Sequence, residues 1–311
     1  MAGVERLELA YNNVYLVGKG SERVLIDTGP DYAGAWEIIQ AWLGDRQPDQ
    51  VLVTHGHHDH ASLGAAWQAA GVGVAVGAGD RRLAAGPQLQ EDAELAAFAR
   101  FVEESGAPEE VRAGALASLA QRRLWALRAA TSEKYPPPGR GARWPTGLRY
   151  RPYKGDEMPA RAGVVDSVPS PGHTPGNHVF VAREEGWLFS GDQLLPDVAP
   201  TPAIQAVGKP DWESDWRFRS LPRFVDSLEA LRGLGLARCY PGHGEPFDDV
   251  AGAIAASLAG IERRSERVSR ALREGGPARL YGLTERLYPR GASRRFWQVV
   301  ATMQGHLDLL E

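Results

Sequence analysis

Four of the chain's eight histidines fall within six residues, in Thr54-His55-Gly56-His57-His58-Asp59-His60. The short apolar run at residues 50–54 leads straight into them, which places them in a turn at the end of a buried strand. A turn of this kind can direct alternate side chains at one point in space. Imidazole and carboxylate are ligands that zinc accepts, at about 2.0–2.2 Å. Without a metal, the same residues would crowd one another as they protonate. The cluster therefore reads as part of a metal site, and the remaining ligands have to reach the same strand end from elsewhere in the chain.

Strand and helix patterns alternate around the cluster. Residues 13–17 and 23–27 read as a hairpin that opens the chain. A helix follows over 33–43, with Trp36, Ile38, Ile39 and Leu43 expected on its apolar side. A second helix over 61–70 and a strand over 71–76 complete an alternation typical of α/β layers. Residues 88 to about 130 differ: they are rich in alanine, leucine and glutamate, with two helices expected on either side of Gly106-Ala107-Pro108. The prolines of Tyr135-Pro136-Pro137-Pro138-Gly139 end that helical character. Strands resume around 163–168, 178–182 and 186–190, followed by a helix over 221–231 and a strand over 237–240. After Phe247 the pattern is purely helical, over 251–273, 280–287 and from 293 onward. The reading divides the chain into a core over 1–250, a lid-like helical insertion at 88–145 within it, and a helical appendage over 251–311.

Three later segments supply what the histidine turn lacks: Ser170-Pro171-Gly172-His173-Thr174-Pro175-Gly176, Ser190-Gly191-Asp192 and Tyr240-Pro241-Gly242-His243-Gly244. Each sets one candidate ligand in a Gly/Pro turn beside an apolar strand. In this order, HxHxDH at His55 to His60 and then a single His, Asp and His, they closely resemble the metallo-β-lactamase superfamily. Leu25-Ile26-Asp27-Thr28-Gly29 fits that family too, as does the spacing across residues 1–250. The resemblance implies an α/β fold, a four-layer αββα sandwich, carrying a helical insertion and a C-terminal helical appendage. That appendage resembles the winged-helix-like tail of the lactamase-like endoribonuclease and thioesterase branch, without residues for the wing. By the same resemblance His55, His57 and His173 would hold one metal ion. Asp59, His60 and His243 would hold a second, and Asp192 would bridge both. His58 is the variable position of the motif and takes no ligand role. Asp27 would orient the turn without binding metal. His178 reads as a core or flanking histidine, and His306 as structural or exposed.

Two divalent ions about 3.5–4 Å apart share a water and lower its pKa toward about 7, which makes hydroxide available in neutral solution. Asp59 would also orient that hydroxide, so Asp59 and Asp192 are the candidate catalytic carboxylates. Zinc is the expected metal, and iron or manganese would also suit the ligands. Histidine rather than glutamate at position 57 disfavours the flavodiiron branch, and the long second domain of the β-CASP nucleases is missing.

Charge narrows the substrate. The net charge of −4 is uneven: residues 122–154 hold nine basic residues against Glu133, a local +8, while the rest of the chain sums to −12. Such a stretch either meets an anion or is a solvated loop. It also contains Trp125, Tyr135, Trp144, Tyr150 and Tyr153. Arg140, Arg143, Arg149 and Arg151 would suit the carboxylates of glutathione or the phosphates of coenzyme A, with an aromatic stacking on adenine. A thioester or related small ester with an anionic carrier is therefore the expected substrate, as in glyoxalase-two-like enzymes. The alternative is a single-strand endoribonuclease with RNA as partner, favoured by ten arginines against four glutamates at 262–295. A mononuclear iron enzyme of the persulfide dioxygenase kind is opposed by the complete second ligand set, and a non-catalytic sensor by the intact site. No run approaches the roughly 20 apolar residues of a membrane helix, and Cys239 alone allows no internal disulfide. A cytoplasmic protein with no membrane partner is expected. Leu280, Leu283, Leu287, Phe296, Val299, Val300 and Met303 recur at helical spacing and need a partner surface, on the core or on a second subunit.

Overall fold

The computed structural model describes residues 2–19, 22–84, 92–131, 148–149, 151–196, 217–275 and 278–311, with side chains described except at 92–95 and 122–131. The expected opening hairpin has one more strand before it. β1 (Gly3–Glu8) pairs antiparallel with β2 (Asn13–Lys19), and β2 with β3 (Glu22–Ile26). β1 lies at the sheet edge, and its Glu5, Arg6 and Glu8 suit that place: charged side chains discourage further pairing there but break the apolar alternation that marks a strand.

β4 (Gln50–Val53) and β5 (Gly73–Val76) add parallel strands, giving the order β1-β2-β3-β4-β5. Parallel neighbours need crossovers. α1 (Ala35–Leu43) supplies the first, and α2 (His58–Ala61) with α3 (Gly64–Ala69) the second. α1 buries Ala35, Ile39 and Leu43, one residue per turn on a single stripe. Ile38 lies off that stripe and is 45% exposed, contrary to its expected place on the apolar side. Gly44, at φ 58°, ends α1 by donating its N–H to the Gln40 carbonyl, and Arg46 Nε donates to the Leu43 carbonyl at 3.1 Å.

The second sheet runs β10-β9-β8-β7-β6, comprising β6 (Arg161–Ala162), β7 (Val165–Pro169), β8 (His178–Ala182), β9 (Trp187–Gly191) and β10 (Arg238–Pro241). Only β9 and β10 pair in parallel, and α7 (Ser220–Arg232) lies between them in the chain. Period-two alternation divides each strand between two apolar layers. Tyr15, Val24, Ile26 and Leu52 face Phe180, Ala182 and Phe189 across the two sheets. Leu25, Val51 and Val53 turn the other way, onto Ile39, Leu43 and Trp67. Val179, Val181 and Leu188 turn outward onto Leu221, Phe224 and Leu228 of α7 and Ile254 of α8 (Val250–Gly275). Helix, sheet, sheet and helix are thus stacked as αββα. Each fully buried aliphatic side chain contributes about 1.5–3 kcal/mol.

From β5 the chain passes through a helical turn at Ala78–Asp80 and α4 (Arg81–Ala84) toward α5 (Asp92–Glu104) and α6 (Glu109–Thr131). The break between α5 and α6 falls at Gly106, φ 72°, as the sequence pattern predicts. These helices pack on the C-terminal α9 (Leu280–Leu287) and α10 (Phe296–Asp308): Phe101, Val102 and Ala115 meet Tyr281, Phe296 and Val300. Leu283 and Met303 pack on Val268 of α8. The apolar stripes of the appendage therefore find partners within the same chain.

His306 of α10 is 3% exposed, with Nδ1 2.8 Å from the Ser265 hydroxyl. Burial, aided by the charge of Arg264, pushes its pKa down to about 4. Between pH 6.5 and 4 the unfolded chain therefore takes up a proton that the folded chain refuses, so stability falls with pH across that window. Thermal melts should show a smaller loss over this range for His306→Asn than for the parent. Parallel curves would contradict the assignment.

Candidate metal centre

The candidate ligands all follow strand ends. His55 and His57 succeed β4, His173 follows β7, Asp192 follows β9 and His243 follows β10. The backbone stays extended through His57 and then turns helical in α2, anchored by the N–H groups of His60 and Ala61 on the His57 carbonyl. This change of direction separates His55 and His57 from Asp59 and His60, and it leaves His58 exposed. Two groups result, His55 with His57, His173 and Asp192, and Asp59 with His60 and His243; within each, the ligand atoms lie inside 4.8 Å of one another.

In the first group His57 Nδ1 stands 2.9 Å from His55 Nε2 and 3.0 Å from His173 Nε2. In the second, His60 Nε2 and His243 Nε2 are 3.3 Å apart. Asp192 faces both. Its Oδ2 is 3.4 Å from His173 Nε2 and 4.0 Å from His55 Nε2, and its Oδ1 is 3.4 Å from His60 Nε2 and 3.2 Å from His243 Nε2. Asp59 Oδ2 reaches His243 Nε2 at 3.4 Å.

Beneath the second group lies Asp27, at the end of β3. Its φ of 65° is unusual for a residue with a side chain and costs roughly 1–3 kcal/mol. The carboxylate offsets that strain by accepting the Thr54 N–H at 2.7 Å and the Thr54 hydroxyl at 2.9 Å, and by holding His60 Nδ1 at 2.7 Å. His60 therefore has its Nε2 turned to the ligand group, the orienting role expected of Asp27. Gly191, just before Asp192, has φ 50°, and a Cβ there would sit 2.6 Å from the Thr54 hydroxyl; only glycine fits.

The two groups differ electrostatically. Burial, reinforced by neighbouring histidines, holds His55 well below its ordinary pKa, pushes His57 down to about 3 and lowers His173. These rings are neutral, the form that ligates metal. Burial also opposes charge on His60, but Asp27, Asp59 and Asp192 outweigh it and raise the pKa well above the ordinary value. For His243, hydrogen bonds to Asp192 and Asp59 overcome burial and push it up to about 9. Burial pushes the carboxyls of Asp59 and Asp192 upward, yet His60 and His243 bring both below the usual carboxylate range. Nitrogens and acidic oxygens thus converge on one point in the second group, and a divalent cation fits that donor set.

All seven residues expected from the sequence as ligands converge here. Arg149 and Arg151, read as anion holders, meet an anion of the chain itself: Arg149 Nη2 and Arg151 Nε donate to the buried Asp31 at 3.3 and 3.2 Å. Arg140 and Arg143 lie outside the described residues. The half-buried His178 flanks the site, its Nδ1 2.9 Å from the Gly176 carbonyl oxygen. Asp80 escaped notice although it is fully buried under both histidine turns; the available signal was an acid in Gly77-Ala78-Gly79-Asp80 directly after a buried strand.

A family model described as Metallo-beta-lactamase superfamily matches residues 8–243. A Drosophila melanogaster protein, "Beta-lactamase-like protein 2 homolog", is 27% identical over 254 residues, 80% of this chain and 63% of that protein. A Bacillus subtilis protein named as a probable metallo-hydrolase is 26% identical over 303 residues, covering 96% of this chain and 87% of its own. An atrochrysone carboxyl ACP thioesterase of Aspergillus novofumigatus is 24% identical over 284 residues, covering 88% and 63%. The chain thus spans less than two thirds of the Drosophila and Aspergillus proteins. The crystal structure of a metallo-beta-lactamase family protein from Thermus thermophilus covers 99% of this chain and 92% of its own, with TM-score 0.71 and 23% identity, a likeness of fold.

Proposed function

The chain belongs to the metallo-beta-lactamase superfamily, and from that premise we propose that it is a dinuclear, zinc-dependent hydrolase of a thioester or related small ester with an anionic carrier group. The observation that carries this reading is Asp192, which offers one carboxylate oxygen to each ligand group. His55, His57 and His173 would hold one ion, Asp59, His60 and His243 the other, with Asp192 shared. When bound, such a pair supplies a water of lowered pKa and an electrophilic partner for the substrate oxygen.

The chain's own residues do the rest. Asp27 fixes the ring of His60, and Thr54 holds Asp27. His55 and His60 are fully buried, whereas the side chains of His243 and Asp59 are 35% and 19% exposed, so substrate enters over His243 and Asp59. Burial, Tyr32 and the charge of Asp59 raise the pKa of the Tyr11 hydroxyl. The described segments on either side of the insertion lie near the histidine turns. On the outgoing side, a Cβ on Gly56 would lie 2.9 Å from Leu83 Cβ of α4. On the returning side, Arg149 and Arg151 hold Asp31, whose N–H donates to Ser62 directly after α2 at 2.7 Å. A cover rooted there suits a carrier-binding role, and fungal relatives named as thioesterases support the substrate class.

Kinetics on a panel test this. Arg140→Ala with Arg143→Ala should raise KM for a coenzyme A or glutathione thioester by about tenfold for each charge-assisted hydrogen bond removed, leaving a small uncharged ester unaffected. Unchanged constants for both substrates would remove the anionic carrier from the proposal. Salt-sensitive cleavage of RNA, with no thioester turned over, would replace the ester reading altogether.

A further inference from the structure

Asp80 closes the turn after β5, and its carboxylate collects donors from two histidine turns that are far apart in sequence. Oδ2 accepts the N–H of Gly56, between His55 and His57, at 2.8 Å. The same oxygen accepts the hydroxyl of Thr174, next to His173, at 2.5 Å. Oδ1 accepts the Gly176 N–H at 2.8 Å. Burial pushes this carboxyl up, and the three hydrogen bonds work against that shift. The backbones are pressed together: a Cβ on Gly176 would stand 2.3 Å from Asp80 N, and one on Gly77 would stand 2.0 Å from the Gly176 carbonyl oxygen. Across this brace His57 Nδ1 and His173 Nε2 are held 3.0 Å apart.

The second ligand group has different supports. Asp27 holds His60. Tyr15 donates its hydroxyl to the Pro241 carbonyl at 2.7 Å, and Asn13 Nδ2 donates to the Pro241 and Gly244 carbonyls at 3.1 and 2.8 Å, fixing the turn that carries His243. Among the described residues, no hydrogen bond joins Asp80 to either support.

We propose that Asp80 is a positioning residue that sets the spacing of His57 and His173, and so tunes metal affinity in the first ligand group independently of the second. The inference rests on the metal-binding reading above. Three donors converge on two oxygens, so the acceptor must be a carboxylate. An amide in its place turns an NH2 toward at least one buried donor whichever way it lies, and that turn must retreat. A residue that only supported the fold would weaken both groups alike.

Zn2+ competition against a chromogenic chelator separates these cases without any substrate. The parent backgrounds are His243→Ala, which leaves the first group, and His173→Ala, which leaves the second. Asp80→Asn is expected to weaken Zn2+ binding about 10- to 100-fold in the first background and to leave the second unchanged. Thr174→Val should act in the same direction in the His243→Ala background, and Thr174→Ser should restore affinity there; this pair carries the test if Asp80→Asn does not fold. Equal weakening in both backgrounds, or none in either, overturns the proposal. Failure of the unmutated chain to bind Zn2+ refutes the metal reading itself and the inference with it, a result distinct from a bound metal that ignores Asp80.

Discussion

Asp192→Ala should lose both metal ions and essentially all turnover, while His58→Ala keeps both ions and much of the rate. Asp192 sends Oδ2 toward His173 and His55 and Oδ1 toward His60 and His243, all within 4.0 Å. Removing it leaves three neutral imidazoles in one group and, in the other, Asp59 as the one carboxylate facing the Nε2 atoms of His60 and His243. Residues that merely orient ligands cost roughly 10- to 100-fold in affinity or activity when changed; a carboxylate shared by both groups costs more than that, twice over. His58 shares the motif but is exposed, and neither ligand group includes it. Elemental analysis after reconstitution, together with thioester turnover, decides the matter. Two bound equivalents in Asp192→Ala, or equal losses in the two variants, would break the ligand assignment.

The convergence of the candidate ligands was legible because metal chemistry demands uncommon residue types in unusual company. A histidine-rich turn at a strand end has few other uses, and the single candidates His173, Asp192 and His243 each announce themselves through a Gly/Pro turn beside an apolar strand. The layers were legible where strands alternate under two-sided burial, as in β2 and β3. They were not at β1, whose charges belong to a sheet edge. Asp80 could not be found in this way. An aspartate is ordinary in composition, and its role arises only when turns 24, 94 and 96 residues away in the chain fold around it. Arg149 and Arg151 carry the opposite lesson. Local charge says that an anion is wanted but not which one, and here Asp31, 118 and 120 residues away, supplies it.

Asp308→Ala should destabilise the folded chain by about 3–5 kcal/mol, because it breaks a buried ion pair from one side only. Arg217, just before α7, donates Nη1 to Asp308 Oδ2 at 2.5 Å and Nη2 to Oδ1 at 2.6 Å, a bidentate fork, and Gln304 Nε2 adds a donor to Oδ1 at 2.8 Å. The two side chains are only 10% and 2% exposed, so without Asp308 the guanidinium remains charged, desolvated and unmatched. The pair also ties α10 to the metal centre through α7. Ser220 and Ser227 donate to the carbonyls of Gly172 and Pro171 at 2.5 and 2.8 Å, in the turn that carries His173. Denaturant melts should show a lower midpoint at an unchanged slope, and the melting temperature should fall by roughly 10 °C. Replacing both partners, Arg217→Met with Asp308→Leu, should recover most of the loss, since an apolar pair of similar size carries no desolvation cost. If the single variant loses less than about 1 kcal/mol, the pair behaves as an exposed one, and the coupling between appendage and metal turn has to run through the apolar contacts of α10 instead.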